Sequence, residues 1–199
     1  THTVLVEFAT SKTCGHCPPV SNYLYDLYSE EYDFYYVTLN IREEPAKSRY
    51  YEIRESSGIP DVYFDGGYTI ILGNKGSKEP YKEDIDESGQ RDVADIDLKI
   101  SLTWDDKKIG INLEITNNEQ TKYEGHLHTY ITEIESRWEY TNGEKFHYAM
   151  LDYAINKDIT IPENNKKQYT AEWDAKNTEY PDIEQENIMI IAAVFSQES

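Results

Sequence analysis

The feature that most constrains the fold is a change of hydrophobic period near residue 91. Before it, apolar runs of strand length alternate with stretches of helical spacing. TVLVEFA (3–9) is Val-rich and reads as a buried strand, with Val4, Val6 and Phe8 on one face and Leu5 and Glu7 on the other. PPVSNYLYDLYSE (18–30) puts Val20, Tyr23, Leu24, Leu27 and Tyr28 at helical spacing, its prolines where a first turn tolerates them. DFYYVTLNI (33–41) predicts a second strand and EEPAKSRYYEIRES (43–56) a second helix, with Gly58 after its end. DVYF (61–64) and YTIIL (68–72) flank Asp65-Gly66-Gly67, a hairpin signal, and EPYKEDIDESG (79–89) predicts a third helix. The order is β-α-β-α-β-β-α.

After Arg91 the period becomes two. Ile96, Leu98, Ile100, Leu102 and Trp104 point one way in IDLKISLTW, and Ile109, Ile111, Leu113 and Ile115 do the same in KIGINLEIT, with a turn at Asp105-Asp106-Lys107. Further strands are expected at 125–135, 145–154, 167–174 and 187–196. The last, NIMIIAAVF, is a continuous apolar run and predicts a central strand. About seven one-face-apolar strands argue a β-sandwich over 92–199, after an α/β domain over 1–91.

Net charge narrows the partners. With 38 acidic against 19 basic residues the chain carries −19, so phosphate backbones and anionic membrane surfaces are repelled, and neutral or basic partners fit. No run approaches the roughly 18 apolar residues of a membrane span. The sequence opens at Thr1 almost directly into a strand, which fits a mature or trimmed chain whose signal or anchor segment is absent here.

Two cysteines among 199 residues, Cys14 and Cys17, stand in VLVEFATSKTCGHCPPV, between the first strand and the first helix. Three readings apply: a redox couple, half a metal site or an inert pair. A disulfide across so small a loop constrains the unfolded chain little, so it is poorly explained as a staple and better as chemistry. Half a zinc site lacks a second cysteine pair. At the start of a helix, Cys14 would find unpaired N–H groups and a dipole that favour its thiolate. Cys17, one turn inside, is placed to attack a mixed disulfide formed at Cys14. A charged His16 between them would stabilise the thiolate further and make the pair more oxidising.

The segment resembles the active site of protein disulfide isomerase domains in the thioredoxin superfamily, which also carry Cys-Gly-His-Cys, and the resemblance covers residues 3–90. It implies a thioredoxin-like fold and a thiol–disulfide oxidoreductase that exchanges disulfides with protein substrates, of the protein disulfide oxidoreductase or isomerase type. It implies Cys14 as nucleophile, Cys17 as resolving residue, His16 as tuner of the couple and Glu7 as the buried acid passing a proton to or from Cys17 through water. SGIPDVYFDGG (57–67) resembles the family's cis-proline loop, with Pro60 as that proline. Ile59, Pro60 and Gly15 then hold the substrate peptide, and Gly73 fits the pattern. Three positions depart from the family. The Glu7–Cys14 segment is one residue longer, Thr13 replaces the usual aromatic residue, and Pro18 replaces the usual basic one.

The whole layout is similar to extracytoplasmic prokaryotic proteins that join a thioredoxin-like part to an immunoglobulin-like tail. Expected from it are an extracytoplasmic setting, protein thiols or disulfides and a redox partner protein as partners, no nucleic acid, no membrane insertion, and no cofactor beyond the Cys14–Cys17 disulfide. The alternative is a binding or surface protein whose β-sandwich holds a partner, with the thioredoxin-like part as scaffold. His126 and His128 alternate on one predicted strand face, which suits a metal less well than a solvated surface, so no metal site is expected. Ser136-Arg137-Trp138 with Tyr140 reads as strand-end packing.

Overall fold

Seven residues of strand, Val4–Thr10 (β1), are buried along their whole length because helices cover both faces. On the Val4 face lies α3 (Glu79–Gly89), so close that a Cβ on Gly89 would sit 3.4 Å from Val4 Cγ2. The same side holds α1 (Cys17–Ser29), whose Tyr23 packs on Tyr81 of α3 with ring centroids 5.8 Å apart. Side chains alternate along a strand, so Glu7 points the other way, to α2 (Ala46–Ile53), where Arg49 meets it. In this computed structural model residues 1–55 and 57–196 are described.

β2 (Phe34–Asn40) runs parallel to β1, from Val4↔Phe34 to Thr10↔Asn40. β3 (Asp61–Phe64) pairs antiparallel with the other edge of β1, and β4 (Thr69–Leu72) with β3. These elements fall close to their sequence-based positions. The second helix is shorter than predicted: it begins after Pro45, whose bond to Glu44 is cis, and ends at Ile53. Ser56, the last residue of that expectation, lies outside the described residues.

The expected thioredoxin-like domain followed by an immunoglobulin-like sandwich is not the fold that forms. Six strands follow α3: β5 (Ile96–Asp105), β6 (Lys108–Asn117), β7 (Tyr123–Glu139), β8 (Lys145–Ile161), β9 (Asn165–Asp174) and β10 (Ile188–Ser196). Only β5, β6 and β9 make a sheet of their own, in the order β5-β6-β9. The other three join the first sheet, giving a seven-stranded mixed sheet ordered β10-β7-β8-β2-β1-β3-β4.

The reason lies in an open edge. β7 and β8 have 17 residues each, several more than the alternation suggested. Ala149 of β8 lies beside Thr38 of β2, in parallel, and Thr38 Oγ1 donates to the His147 carbonyl at 2.6 Å. Without β8 this edge of β2 would be an unpaired row of amides, which strands readily fill. Tyr148 makes the bend at φ 51°, a conformation bulky residues rarely adopt, and its ring packs against Tyr36 and Tyr28 at 4.9 and 5.1 Å. β10, expected to be central, is the terminal strand of the order.

Two compact units result, Thr1–Asp92 with Thr132–Asp152, and Val93–Ile131 with Tyr153–Ser199. Segment 132–152, expected in the second domain, therefore belongs to the first unit. The first core includes Val6, Phe8, Leu24, Leu39, Phe64 and, from the returning hairpin, Phe146 and Ala149. The second is built on Ile109, Ile111, Leu113 and Ile115 of β6 with Leu127 and Ile161. Each large apolar side chain so buried contributes about 2 kcal/mol.

Candidate functional site

β1 ends at Thr10, and the chain turns through residues 11–16 before α1 begins at Cys17. Two backbone bonds shape the turn, Cys14 N–H to the Ser11 carbonyl at 3.1 Å and Cys17 N–H to the Cys14 carbonyl at 3.4 Å. Pro18 and Pro19 follow, where the missing amide protons have no helical acceptor to lose. Cys17 rather than Cys14 is thus the first helical residue, and Cys14 lies in the turn just ahead of the helix's unpaired N–H groups.

Cys14 and Cys17 are joined in a disulfide. Their surroundings differ. Cys17 is fully buried, Cys14 is half-buried, and Gly15 and His16 between them are exposed. Cys14 is therefore the more accessible half of the disulfide and Cys17 the sheltered half. His16 occupies the N-cap position without capping the helix through its side chain. Nothing lies within 4 Å of where a Gly15 Cβ would be, so that glycine faces open space.

The β7–β8 hairpin is the part of this site that sequence reasoning missed. Tyr140 in its turn lies with its hydroxyl 3.1 Å from Thr10 Oγ1, both buried, and Thr141 N–H donates to the Lys12 carbonyl at 3.2 Å. Burial pushes the Tyr140 hydroxyl up to about 12, partly offset by Thr10. Asn22 Nδ2 on α1 donates to Glu144 Oε2 at 3.2 Å. Between the disulfide loop, α1 and the hairpin runs an open groove of 370 Å³, lined by Gly15, Pro18, Pro19, Asn22, Tyr23, Asp26, Asn142 and Glu144. The Asn142-Gly143 turn signal was visible, but nothing local in it said which sheet the hairpin joins.

Pro60 is cis, as the resemblance implied, and buried, with Ile59 half-buried before it. Gly73 N–H donates to the Pro60 carbonyl at 2.8 Å, and Tyr50 Oη donates to the Gly58 carbonyl at 2.9 Å. Asp61 pairs with Ala9, so Pro60 enters the sheet at the end of β1 from which the cysteine loop leaves.

Glu7 is placed differently from its expected role. Arg49 grips it with Nε to Oε1 at 2.7 Å and Nη2 to Oε2 at 2.8 Å, both side chains buried. This commits the carboxylate to α2, whereas Cys17 belongs to α1 on the opposite face of β1. Beside it, on the same face, Tyr63 Oη donates to the buried Asp61 Oδ2 at 3.2 Å. Burial, reinforced by Asp61, raises the Tyr63 hydroxyl far above the usual tyrosine range. Arg49, Asp61 and Tyr63 were not singled out from the sequence.

In the second unit His126 contacts Asp158 Oδ1 at 2.7 Å through Nδ1 and Asn156 Oδ1 at 2.6 Å through Nε2, and buried His128 lies 3.0 Å from the Tyr153 hydroxyl. Among the described residues no three or more His, Cys, Asp or Glu side chains gather as metal ligands. In the first unit His147 stacks on Tyr25 with centroids 4.2 Å apart, and burial lowers its pKa. Arg137 is held by Glu133, Nη2 to Oε1 at 2.7 Å. Among the described residues no helix is long and apolar enough to cross a membrane.

No family model matches the chain, and no curated protein does. Among solved structures, the beta-glucosidase from Kluyveromyces marxianus matches in complex with glucose (13% identity, TM-score 0.35) and in selenomethionine-labelled form (14%, 0.34). Each match covers 52% of this chain and 14% of the other, so the chain spans about a seventh of their length. Likeness at that level carries no argument about fold or activity.

Proposed function

We propose that the chain is a thiol–disulfide oxidoreductase that exchanges disulfides with protein substrates through Cys14 and Cys17. The observation that carries the reading is the asymmetry of the disulfide, one sulfur half-buried in a turn and the other fully buried at the start of α1. The Cys-Gly-His-Cys motif, shared with protein disulfide isomerases, adds to it.

A substrate thiolate attacks Cys14 Sγ. The Cys14–Cys17 bond breaks, Cys17 leaves as a thiolate and takes up a proton, and substrate and Cys14 are joined in a mixed disulfide. A second substrate thiolate attacks the substrate sulfur, Cys14 leaves, and the substrate is oxidised by two electrons while the pair is reduced by two. Run backwards, reduced Cys14 opens a substrate disulfide and Cys17 resolves it. Helix-start N–H groups stabilise the Cys14 thiolate in either direction. The exposed His16 adds to this whenever it is charged. The groove beside Gly15, with Asp26 and Glu144 in its lining, suits neutral or basic substrate segments. The Ile59–Pro60 loop, at the same end of β1, adds a second wall for the peptide. An oxidising, extracytoplasmic compartment with a dedicated redox partner suits such a pair.

Trapping tests the reading. Reduced Cys17→Ser protein mixed with a disulfide-bonded peptide should accumulate a mixed disulfide at Cys14, seen by intact mass. Cys14→Ser should form none. Absence of the adduct in Cys17→Ser, with Cys14 free to alkylate, overturns it.

A further inference from the structure

We propose that two copies of this chain pair through the free edges of β5, antiparallel about a two-fold axis at Ile100, to form a continuous six-stranded sheet. The inference is independent of the redox reading.

Among the described residues β5 ends its sheet, with β6 on one side only. Its apolar row is left in solvent: Leu98 is 37% exposed, Ile100 41% and Leu102 48%, whereas their partners on β6, Ile115, Leu113 and Ile111, are buried. Natural edge strands are commonly blunted by proline, a bulge or an inward charge. β5 carries none of these; it is ten residues in unbroken register with β6.

The backbone adds direction. Asp105 and Lys108 close a two-residue turn, and Asn118 N–H donates to the Asp95 carbonyl at 3.0 Å. Odd-numbered residues of β5 therefore turn their amides to β6, and Ile96, Leu98, Ile100, Leu102 and Trp104 turn theirs outward. The residues that carry the apolar side chains also carry the unpaired amides and carbonyls.

Self-pairing can use both at once, and charge selects the register. Centred on Ile100, Leu98 faces Leu102 and Ile96 faces Trp104 of the second copy, while on the polar face Asp97 meets Thr103 and Lys99 meets Ser101. No like charges oppose each other from Ile96 to Trp104. A shift to Lys99 sets Lys99 against its own copy, and a shift to Ser101 sets Asp97 against Asp105 twice. Larger shifts shorten the ladder. At its ends the favoured register brings Asp105 toward Asp95, beyond the strand, whose Oδ1 accepts from Asn118 Nδ2 at 3.2 Å. The charge of −19 per copy repels overall, so association should strengthen with added salt.

Sedimentation equilibrium of the full chain in moderate salt tests this. The expected mass is twice the 23.2 kDa of one copy at high concentration, dissociating on dilution. Ile100→Lys, which places two ammonium groups at the axis, and Leu102→Pro, which removes an outward amide, should each weaken the dimer at least tenfold with unchanged circular dichroism. Thr103→Lys should tighten it several-fold against Asp97, and Ser101→Lys should loosen it against Lys99. A mass of one copy at every concentration overturns the proposal, as does a dimer indifferent to Ile100→Lys and Leu102→Pro. A dimer that Thr103→Lys fails to tighten overturns the register.

Discussion

Arg49 holds Glu7 through both carboxylate oxygens, at 2.7 and 2.8 Å, inside the first unit. Removing Arg49 takes both of these charge-assisted bonds from a fully buried carboxylate. Arg49→Met should destabilise the protein by about 3–5 kcal/mol in denaturant unfolding, and adding Glu7→Leu should recover most of the loss. Because the pair faces α2, Glu7→Gln should leave the rate of thiol exchange and its pH profile within about threefold, on the scale where tenfold is 1.4 kcal/mol. A hundredfold slower exchange in a folded Glu7→Gln protein would restore the proton-carrier role.

Alkaline pH should unfold the chain steeply. Burial raises the hydroxyl pKa values of Tyr36 and Tyr63 well above the usual range, and takes those of Tyr140 and Tyr148 to about 12. Unfolded tyrosines ionise near 10, so above that pH the unfolded state holds fewer protons than the folded one. Stability from these groups is full below pH 10 and falls as pH rises above it, through about pH 12 for Tyr140 and Tyr148 and further for Tyr36 and Tyr63; Tyr140 alone removes on the order of 2 kcal/mol by pH 12. Tyr140→Phe should flatten the decline measured by urea unfolding at stepped pH. An unchanged slope would show that the hydroxyl ionises as readily folded as unfolded.

Asn117 is the polar pin of the second unit. Fully buried at the end of β6, its Nδ2 lies 2.9, 3.2 and 3.1 Å from the carbonyls of Thr121, Ile161 and Pro162, and its Oδ1 accepts from Glu119 N–H at 3.0 Å. Asn117→Ala orphans several buried groups at once and should cost about 3 kcal/mol in equilibrium unfolding. A loss under 1 kcal/mol would mean that water replaces the amide.

How much of this was legible depended on locality. The first seven elements each carry their own signal: Val-rich runs, helical spacing in 18–30, Asp-Gly-Gly at 65–67. The cysteine pair and the cis Pro60 could be found because their motifs are short and contiguous. The destination of β7 and β8 could not. Alternation marks 125–135 and 145–154 as strands, but whether a strand completes its own sheet or seals the edge of β2 is settled by an edge over a hundred residues away. For the same reason a continuous apolar run suggested a central β10, although it ends the sheet. Glu7 was read from one strand, and its partner Arg49 lies on a helix 42 residues on, where no pattern announces it.

The central claim is that Cys14 and Cys17 work as a redox couple. Equilibrating the protein in glutathione buffers, trapping thiols by alkylation and reading both cysteines by mass tests it most directly. The account predicts a reversible two-electron transition with a midpoint near about −180 mV, on a scale from about −270 mV for a reductant to about −120 mV for a strong oxidant. A disulfide that never opens in this range, or thiols that never close, would contradict it.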